Sequence, residues 1–269
     1  MMLLRLLYAA IGLMGMLGMF VYLHDESRDL EVTRHRFGKE GNPGVVWRIV
    51  QVSDLHIIGG AEIEERVIAE INGWDPDLVV LTGDMLSRRE SLPELSAFLE
   101  KLDKRSKKYA IPGNWEYWVG LRKSEMRRFY DQHGIKLLVN EATRTQKEGQ
   151  TLLVVGLDDA RQGHPDWERA MVDFQAWHDP VLILAHNPDT MAMVPAREKV
   201  VANRLMLSGH THGGQIVLFD FLASRNHPCI AGWCRDQGMP MYISRGIGTS
   251  VIPLRFGARP ELTLFEWQW

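Results

Sequence analysis

Five short polar motifs in this chain each follow an apolar run, and each carries side chains that bind cations or accept protons. They are Ser53-Asp54-Leu55-His56, Thr82-Gly83-Asp84, Pro112-Gly113-Asn114, His186-Asn187-Pro188 and Ser208-Gly209-His210-Thr211-His212. Asp54 and His56 are two positions apart, as are His210 and His212. In extended backbone, residues i and i+2 point to the same side, so each pair can reach one ion. Carboxylate and imidazole donors mixed with one amide oxygen suit first-row divalent ions such as Mn, Fe or Zn. Magnesium prefers an all-oxygen shell. Singly the pieces say little: D-x-H is common, G-D after a strand is usually a turn, and a lone histidine such as His186 is more often structural. The stretch G-H-T-H-G-G is the most specific piece, because two histidines set among glycines have no packing role. The weight rests on the ordered set.

The elements that must position these motifs alternate along the chain. Strands are expected at 45–52, 78–81, 109–111, 151–157, 181–185, 205–207, 241–244 and 262–267. Helical spacing runs over 63–71 and 92–102, the second with Leu92, Leu95, Phe98, Leu99 and Leu102 on one face. Strands alternating with helices predict an α/β domain. In such folds ligand-binding loops collect at the C-terminal ends of strands. Two aspartates, one asparagine and four histidines are therefore expected to converge there.

A chain of 269 residues suits one catalytic domain with a filled core. A net charge of -3 argues against non-specific nucleic-acid binding, which needs a basic face. The segment 6–23 carries no charge and just reaches membrane-spanning length. With no A-x-A-like cleavage site behind it, it reads as a retained anchor. The expected organisation is an anchor helix at 1–23, a polar linker at 24–44 and a catalytic domain at 45–269. Only Arg5 precedes the apolar run, while Arg28, Arg34, Arg36 and Lys39 follow it, so the positive-inside rule leans toward a cytoplasmic catalytic domain. The two cysteines, Cys229 and Cys234, read as unpaired thiols in a loop. The alternatives are one small disulfide loop or a weakly supported zinc site with His227.

The ordered motifs resemble the calcineurin-like metallophosphoesterases, whose pattern runs D-x-H, G-D, G-N-H-[DE], H and G-H-x-H. The match extends from Asp54 to His212 and continues weakly through Ser244-Arg245-Gly246-Ile247-Gly248 to Pro260-Glu261. Asp75-Pro76-Asp77-Leu78-Val79 and G-H-T-H-G-G-Q are similar to the membrane-anchored and secreted bacterial branch. The resemblance implies a four-layer αββα sandwich. It implies that Asp54, His56 and His212 hold one metal, that Asn114, His186 and His210 hold a second, and that Asp84 bridges both. Asp84, Asn114 and His210 then carry the reaction, in which a hydroxide shared by two divalent ions attacks phosphorus in line.

One position departs from that pattern. The family usually has histidine after G-N, and this chain has Trp115 followed by Glu116. An indole donates a hydrogen bond but carries no proton in transit. Three readings follow: an impaired enzyme, a substitute acid such as Glu116 or His133, or a leaving group that needs no acid. The third is favoured, because acid catalysis matters most when the departing oxygen is strongly basic, and a phosphate leaving a diphosphate has a second pKa near 6. The UDP-diacylglucosamine pyrophosphohydrolases are similar in lacking histidine at this slot. The expected substrate is thus a phosphate- or diphosphate-containing small molecule or lipid, contacted by Trp115, Arg245 and Arg255. For each arginine a structural ion pair is an equal alternative. The aromatic and basic segment from Trp115 to Tyr130 reads as an amphipathic helix covering the sheet, with a bilayer-surface role as the alternative. A metal-binding scaffold without turnover, and a metal-free membrane-surface protein, are the competing functions.

Overall fold

Side-chain alternation along the strands assigns each face of two sheets to a different core. In the computed structural model, which describes residues 2–38, 44–57, 62–175, 177, 179–216, 229–234 and 238–269, the chain begins with helix α1 (Met2–Glu26) and edge strand β1 (Glu31–Gly38). Then follow β2 (Trp47–Val52), α2 (Glu62–Trp74), β3 (Leu78–Leu81), α3 (Leu92–Glu100), β4 (Lys107–Ala110), α4 (Asn114–Trp118), α5 (Lys123–Gln132) and β5 (Ile135–Leu137). The second half contains β6 (Glu141–Lys147), β7 (Gln150–Gly156), α6 (Trp167–Ala170), β8 (Val181–Leu184), α7 (Ala196–Lys199), β9 (Arg204–Ser208), β10 (Gly232–Cys234), β11 (Met241–Ile243) and β12 (Glu261–Gln268).

Six strands in the order β1-β12-β2-β3-β4-β5 form one sheet, and six in the order β10-β11-β9-β8-β7-β6 form the other. On β2 and β3, Ile49, Leu78 and Val80 point between the sheets, where they meet Leu152, Val154, Leu182, Leu184, Leu205 and Leu207 from β7, β8 and β9. Their neighbours Val50, Val52, Val79 and Leu81 face the opposite way, onto Val67 and Ile71 of α2 and Leu95 and Phe98 of α3. On the far sheet, Leu153, Val155, Val181, Ile183 and Met206 pack outward against Trp167 and Ala170 of α6. Strands with both faces buried read as continuous apolar runs, as here. The layers are helix, sheet, sheet, helix, as the resemblance implies.

Two expectations need correction. The segment 24–44 is not simply a linker. Helix α1 continues to Glu26, and β1 pairs in parallel along the whole of β12, from Glu31 opposite Glu261 to Gly38 opposite Gln268. Its residues are polar because it is an edge strand, and Thr33 and His35 are hydrogen-bonded to Glu261 and Tyr242. The cysteines are not free thiols: Cys229 and Cys234 form a disulfide, with Cα atoms 5.9 Å apart. His227, the third member of the zinc alternative, lies outside the described residues.

Strands β2, β3 and β4 run parallel to one another in the first sheet, and β7, β8 and β9 do so in the second. The C-terminal ends of β2, β3, β4, β8 and β9 carry the five polar motifs. Gln51 ties the two sets together across the sheets, donating to the Thr82 hydroxyl at 3.1 Å and the Ser208 carbonyl at 2.8 Å.

Candidate metal centre

Glycines let the motif loops approach backbone to backbone. A Cβ at Gly113 would lie 2.2 Å from Asp84 Oδ1, and one at Gly209 would lie 2.2 Å from Asp54 Oδ2. Asp54 N donates to the Gly83 carbonyl at 3.1 Å, and His56 N to the Asp84 carbonyl at 3.0 Å. The cost of this packing appears in the dihedrals. Asp54, His56, Asp84, His210 and His212 all have positive φ, between 44° and 72°. Left-handed backbone at non-glycine residues costs energy and persists where the surroundings over-determine it, typically at functional sites.

The result is two adjoining clusters. Ligand atoms of Asp54, His56 and His212 lie within 4.8 Å of one another, and so do those of Asp84, His186 and His210. In the first, His56 Nε2 faces His212 Nε2 at 3.1 Å, and His212 Nε2 lies 3.4 Å from Asp54 Oδ1. In the second, His186 Nε2 lies 3.1 Å from His210 Nδ1, 3.2 Å from Asn114 Oδ1 and 3.1 Å from Asp84 Oδ2. The same Asp84 oxygen is 3.8 Å from His56 Nε2, which sets it between the clusters. All seven residues expected as ligands are thus brought together, and all but His210 are buried.

The residues behind the clusters orient them. His186 Nδ1 is 2.8 Å from the Thr82 carbonyl, and that partner requires the N–H at Nδ1, leaving the Nε2 lone pair aimed into the cluster. His56 Nδ1 is 3.1 Å from Ser87 Oγ. Asp54 accepts from Ser53 Oγ at 2.5 Å and from His210 N at 3.0 Å. Asp84 Oδ1 accepts from Trp115 N at 2.8 Å. Convergent imidazole, carboxylate and amide donors, with the far imidazole nitrogens occupied, fit divalent first-row metals.

Electrostatics agree with a cation-binding role. Burial raises the Asp54 carboxyl above the usual carboxylate range, against the pull of His186. Burial opposes charge on His186 too, yet Asp84 and Asp54 raise it to about 10. Burial lowers His56 to about 4, with Asp84 opposing the shift. The paired carboxylates therefore draw positive charge to the His186 side, the electrostatic demand that bound cations meet.

Several residues do work that the sequence pattern did not reveal. Glu116, considered as a substitute acid, is a clamp. Its carboxylate accepts from Gly113 N at 2.8 Å, Asp84 N at 3.0 Å and Met85 N at 2.7 Å, holding the second and third motif loops together. His133, the other substitute, sits between α3 and α5, bonded to Ser96 Oγ and the Phe129 carbonyl. Arg245 pairs with Glu31 at 2.7 Å and Glu261 at 3.1 Å. Arg255 is fully buried and donates to the carbonyls of Ala258, Gly246, Arg245 and His212. Both arginines take the ion-pair or framework alternative. Trp115 stands at the rim, its ring edge-on to His56 at 5.4 Å and to the exposed Trp118 at 5.3 Å. Helix α5 buries Met126 and Tyr130 against the sheet, and Arg127 pairs with Glu141, as expected of a covering amphipathic helix.

Comparison with known proteins gives a consistent result. Residues 48–214 match the calcineurin-like phosphoesterase family. The chain is 30% identical over 262 residues to phosphodiesterase YaeI of Escherichia coli (strain K12), covering 92% of each chain. It is 32% identical over 232 residues to the uncharacterized metallophosphoesterase YkuE of Bacillus subtilis (strain 168), covering 81% of this chain and 78% of the relative. Among solved structures, a dimetal phosphatase from Danio rerio superposes with a TM-score of 0.51 at 12% identity, covering 75% of this chain and 88% of that one. That likeness speaks for the fold.

Proposed function

Given that the chain belongs to the calcineurin-like phosphoesterase family and is a metal-dependent phosphoester hydrolase, we propose that it works with two divalent ions on a lipid-borne diphosphate, or a lipid-borne phosphodiester whose departing oxygen is weakly basic, tethered to the bilayer by α1. The observation that carries the two-ion reading is the position of Asp84 Oδ2, 3.1 Å from His186 Nε2 and 3.8 Å from His56 Nε2. Asp54, His56 and His212 would hold one ion, Asn114, His186 and His210 the other, and Asp84 both. When bound, the pair supplies Lewis-acid charge and lowers the pKa of the attacking water. The protein's own part is placement. Asn114 and His210 would give the second ion one oxygen and one nitrogen donor beside His186. Glu116 keeps the Asp84 and Asn114 loops in register, and Trp115 walls the rim.

Trp115 also shapes the substrate reading. With an indole in place of an acid, the departing oxygen leaves unprotonated, which favours aryl diesters and diphosphates over alkyl esters. The name of the YaeI relative supports a diester. Helix α1 supports the tether: the stretch Arg5–Glu26 is long and apolar enough to cross a membrane, and its apolar window is not buried in the domain.

The Cys229–Cys234 disulfide supports placing the domain on the oxidising face, since disulfides persist there. It weighs against the cytoplasmic lean of the charge count. Arg34 and Arg36, two of the four basic residues behind that lean, belong to β1 inside the folded domain, and long domains translocate largely regardless of charge. A second reading keeps the domain cytoplasmic and takes UDP-diacylglucosamine as substrate, favoured by the basic residues and the missing histidine.

The full-length protein, loaded with manganese and assayed on an aryl phosphodiester, an alkyl phosphodiester and UDP-diacylglucosamine, tests these points. Chelator-sensitive turnover of the aryl diester with little on the alkyl diester is expected. Turnover unaffected by chelation would reject the metal reading. Turnover of the UDP lipid, with no digestion of the domain by protease added to intact cells, would establish the second reading.

A further inference from the structure

The segment from Ser250 to Phe256 stands out for what it exposes. Val251 is 87% exposed, Ile252 46% and Phe256 36%. Its one charged residue, Arg255, is turned wholly inward. Single exposed apolar side chains are ordinary, but a contiguous uncharged cluster marks an interaction surface.

Backbone strain holds that cluster outward. Val251 has φ +64°, a conformation that a β-branched residue adopts only when forced. No packing around Val251 does the forcing, since the side chain is in solvent. Gln215 does it instead. Its amide nitrogen lies 3.0, 2.7 and 3.2 Å from the carbonyls of Ser250, Ile252 and Leu254. Its amide oxygen accepts from Ser250 N at 2.8 Å.

The loop touches two parts of the molecule. On one side it meets the last turn of α1. Gly257 N donates to Glu26 Oε1 at 2.7 Å, Arg255 N reaches the Leu23 carbonyl at 3.4 Å, and the Phe256 ring lies 6.4 Å from that of Tyr22. On the other side it meets the metal centre. Gln215 is three residues beyond His212, Arg255 donates to the His212 carbonyl, and Gly248 N donates to the Asp54 carbonyl at 2.8 Å. The apolar surface is therefore continuous with the end of the apolar helix and flanks the Asp54–His56–His212 cluster.

We infer that the loop from Ser250 to Phe256 is a membrane-docking element that seats in the bilayer surface beside α1 and turns the mouth of the metal centre toward lipid headgroups. The inference rests on α1 being the anchor. It gives the strain at Val251 a purpose: an apolar side chain held out in water gains free energy when it enters an apolar phase. It also narrows the substrate class to phosphoesters carried by a lipid in the same membrane.

The test uses the full chain reconstituted into vesicles of phosphatidylethanolamine and phosphatidylglycerol. Both native cysteines are in the disulfide, so a single introduced thiol takes an environment-sensitive dye selectively. The labelled variants are Val251→Cys, Leu13→Cys within α1, and Glu148→Cys in the β6–β7 turn, at the end of the sheet opposite the motif loops. The expected result is quenching of the Leu13 and Val251 positions by nitroxide lipids, and of the Glu148 position by aqueous iodide. Lipid quenching at Leu13 with iodide quenching at Val251 would overturn the docking loop and leave the anchor standing. Iodide quenching at both would overturn both.

Function is read in parallel with Val251→Asp/Ile252→Asp. Turnover of vesicle-borne phosphatidyl-p-nitrophenol should fall at least about tenfold, the factor that goes with losing one buried apolar side chain. Turnover of soluble bis(p-nitrophenyl) phosphate should hold. An unchanged lipid turnover, or an equal loss on both substrates, would contradict the inference.

Discussion

His186 and His56 hold matching places in the two clusters, each buried and each with its far ring nitrogen occupied, yet their surroundings differ in charge. Asp84 Oδ2 is 3.1 Å from His186 and 3.8 Å from His56. The His186 ring rests on a backbone carbonyl, while His56 rests on the Ser87 hydroxyl. Arg255, a buried cation, lies against His212 on the His56 side. The difference teaches that one ligand set does not make two equal ion sites. Asp54 gives the His56 cluster a carboxylate of its own, but the buried Arg255 offsets that charge, so the cluster of Asp84, Asn114, His186 and His210 should bind its ion more tightly. The cluster of Asp54, His56 and His212 should bind more weakly and, with Trp115 over it, face the substrate.

The strongest way to break this comparison is to remove the group the clusters share. Asp84→Ala should lose both ions and about 10³-fold of turnover, the scale of deleting a main electrostatic stabiliser. Elemental analysis and a diester assay check it, and a variant that keeps two ions would refute the bridging role. Next come the unshared histidines. His56→Ala should keep one ion per chain and lose about 10²-fold of turnover, while His186→Ala should lose the tighter ion, visible as release at lower chelator concentration.

Trp115→His asks which cluster faces the leaving group. An imidazole there should raise alkyl diester turnover by up to about 10²-fold, the lower range for general acid catalysis, and leave aryl diester turnover little changed. Equal change on both would remove leaving-group protonation from the account. The smallest effect is expected at Ser87→Ala, which should weaken the looser ion by about tenfold, the low end for an outer hydrogen-bond partner. A metal titration should show the tighter ion unmoved.

What could be read from the sequence follows from where the information lies. Strand β3 was readable because Leu78 to Leu81 is buried on both faces and has no polar interruption. The edge strands β1, β5, β6 and β10 were not. Edge strands are short or polar, and β1 shows only alternating half-burial, which a scan of composition takes for a linker. The seven candidate ligand positions could be picked out because each sits immediately after a buried strand, in a motif whose order narrows the alternatives.

The supporting residues were harder to read because they act through the backbone. Thr82 contributes a carbonyl to His186, and Glu116 receives three backbone N–H groups. Neither use leaves a mark in residue type. Arg255 was misleading for the opposite reason: an arginine in a loop suggests phosphate binding, whereas this one is enclosed and hydrogen-bonded to carbonyls.

The most direct test of the central claim is a manganese titration of the metal-stripped full-length protein, with bound ions counted per chain and turnover followed together. Two ions should bind with distinguishable affinities, and turnover should return only as the second, weaker ion fills. Saturation at a single ion with full turnover, or turnover with none bound, would contradict it.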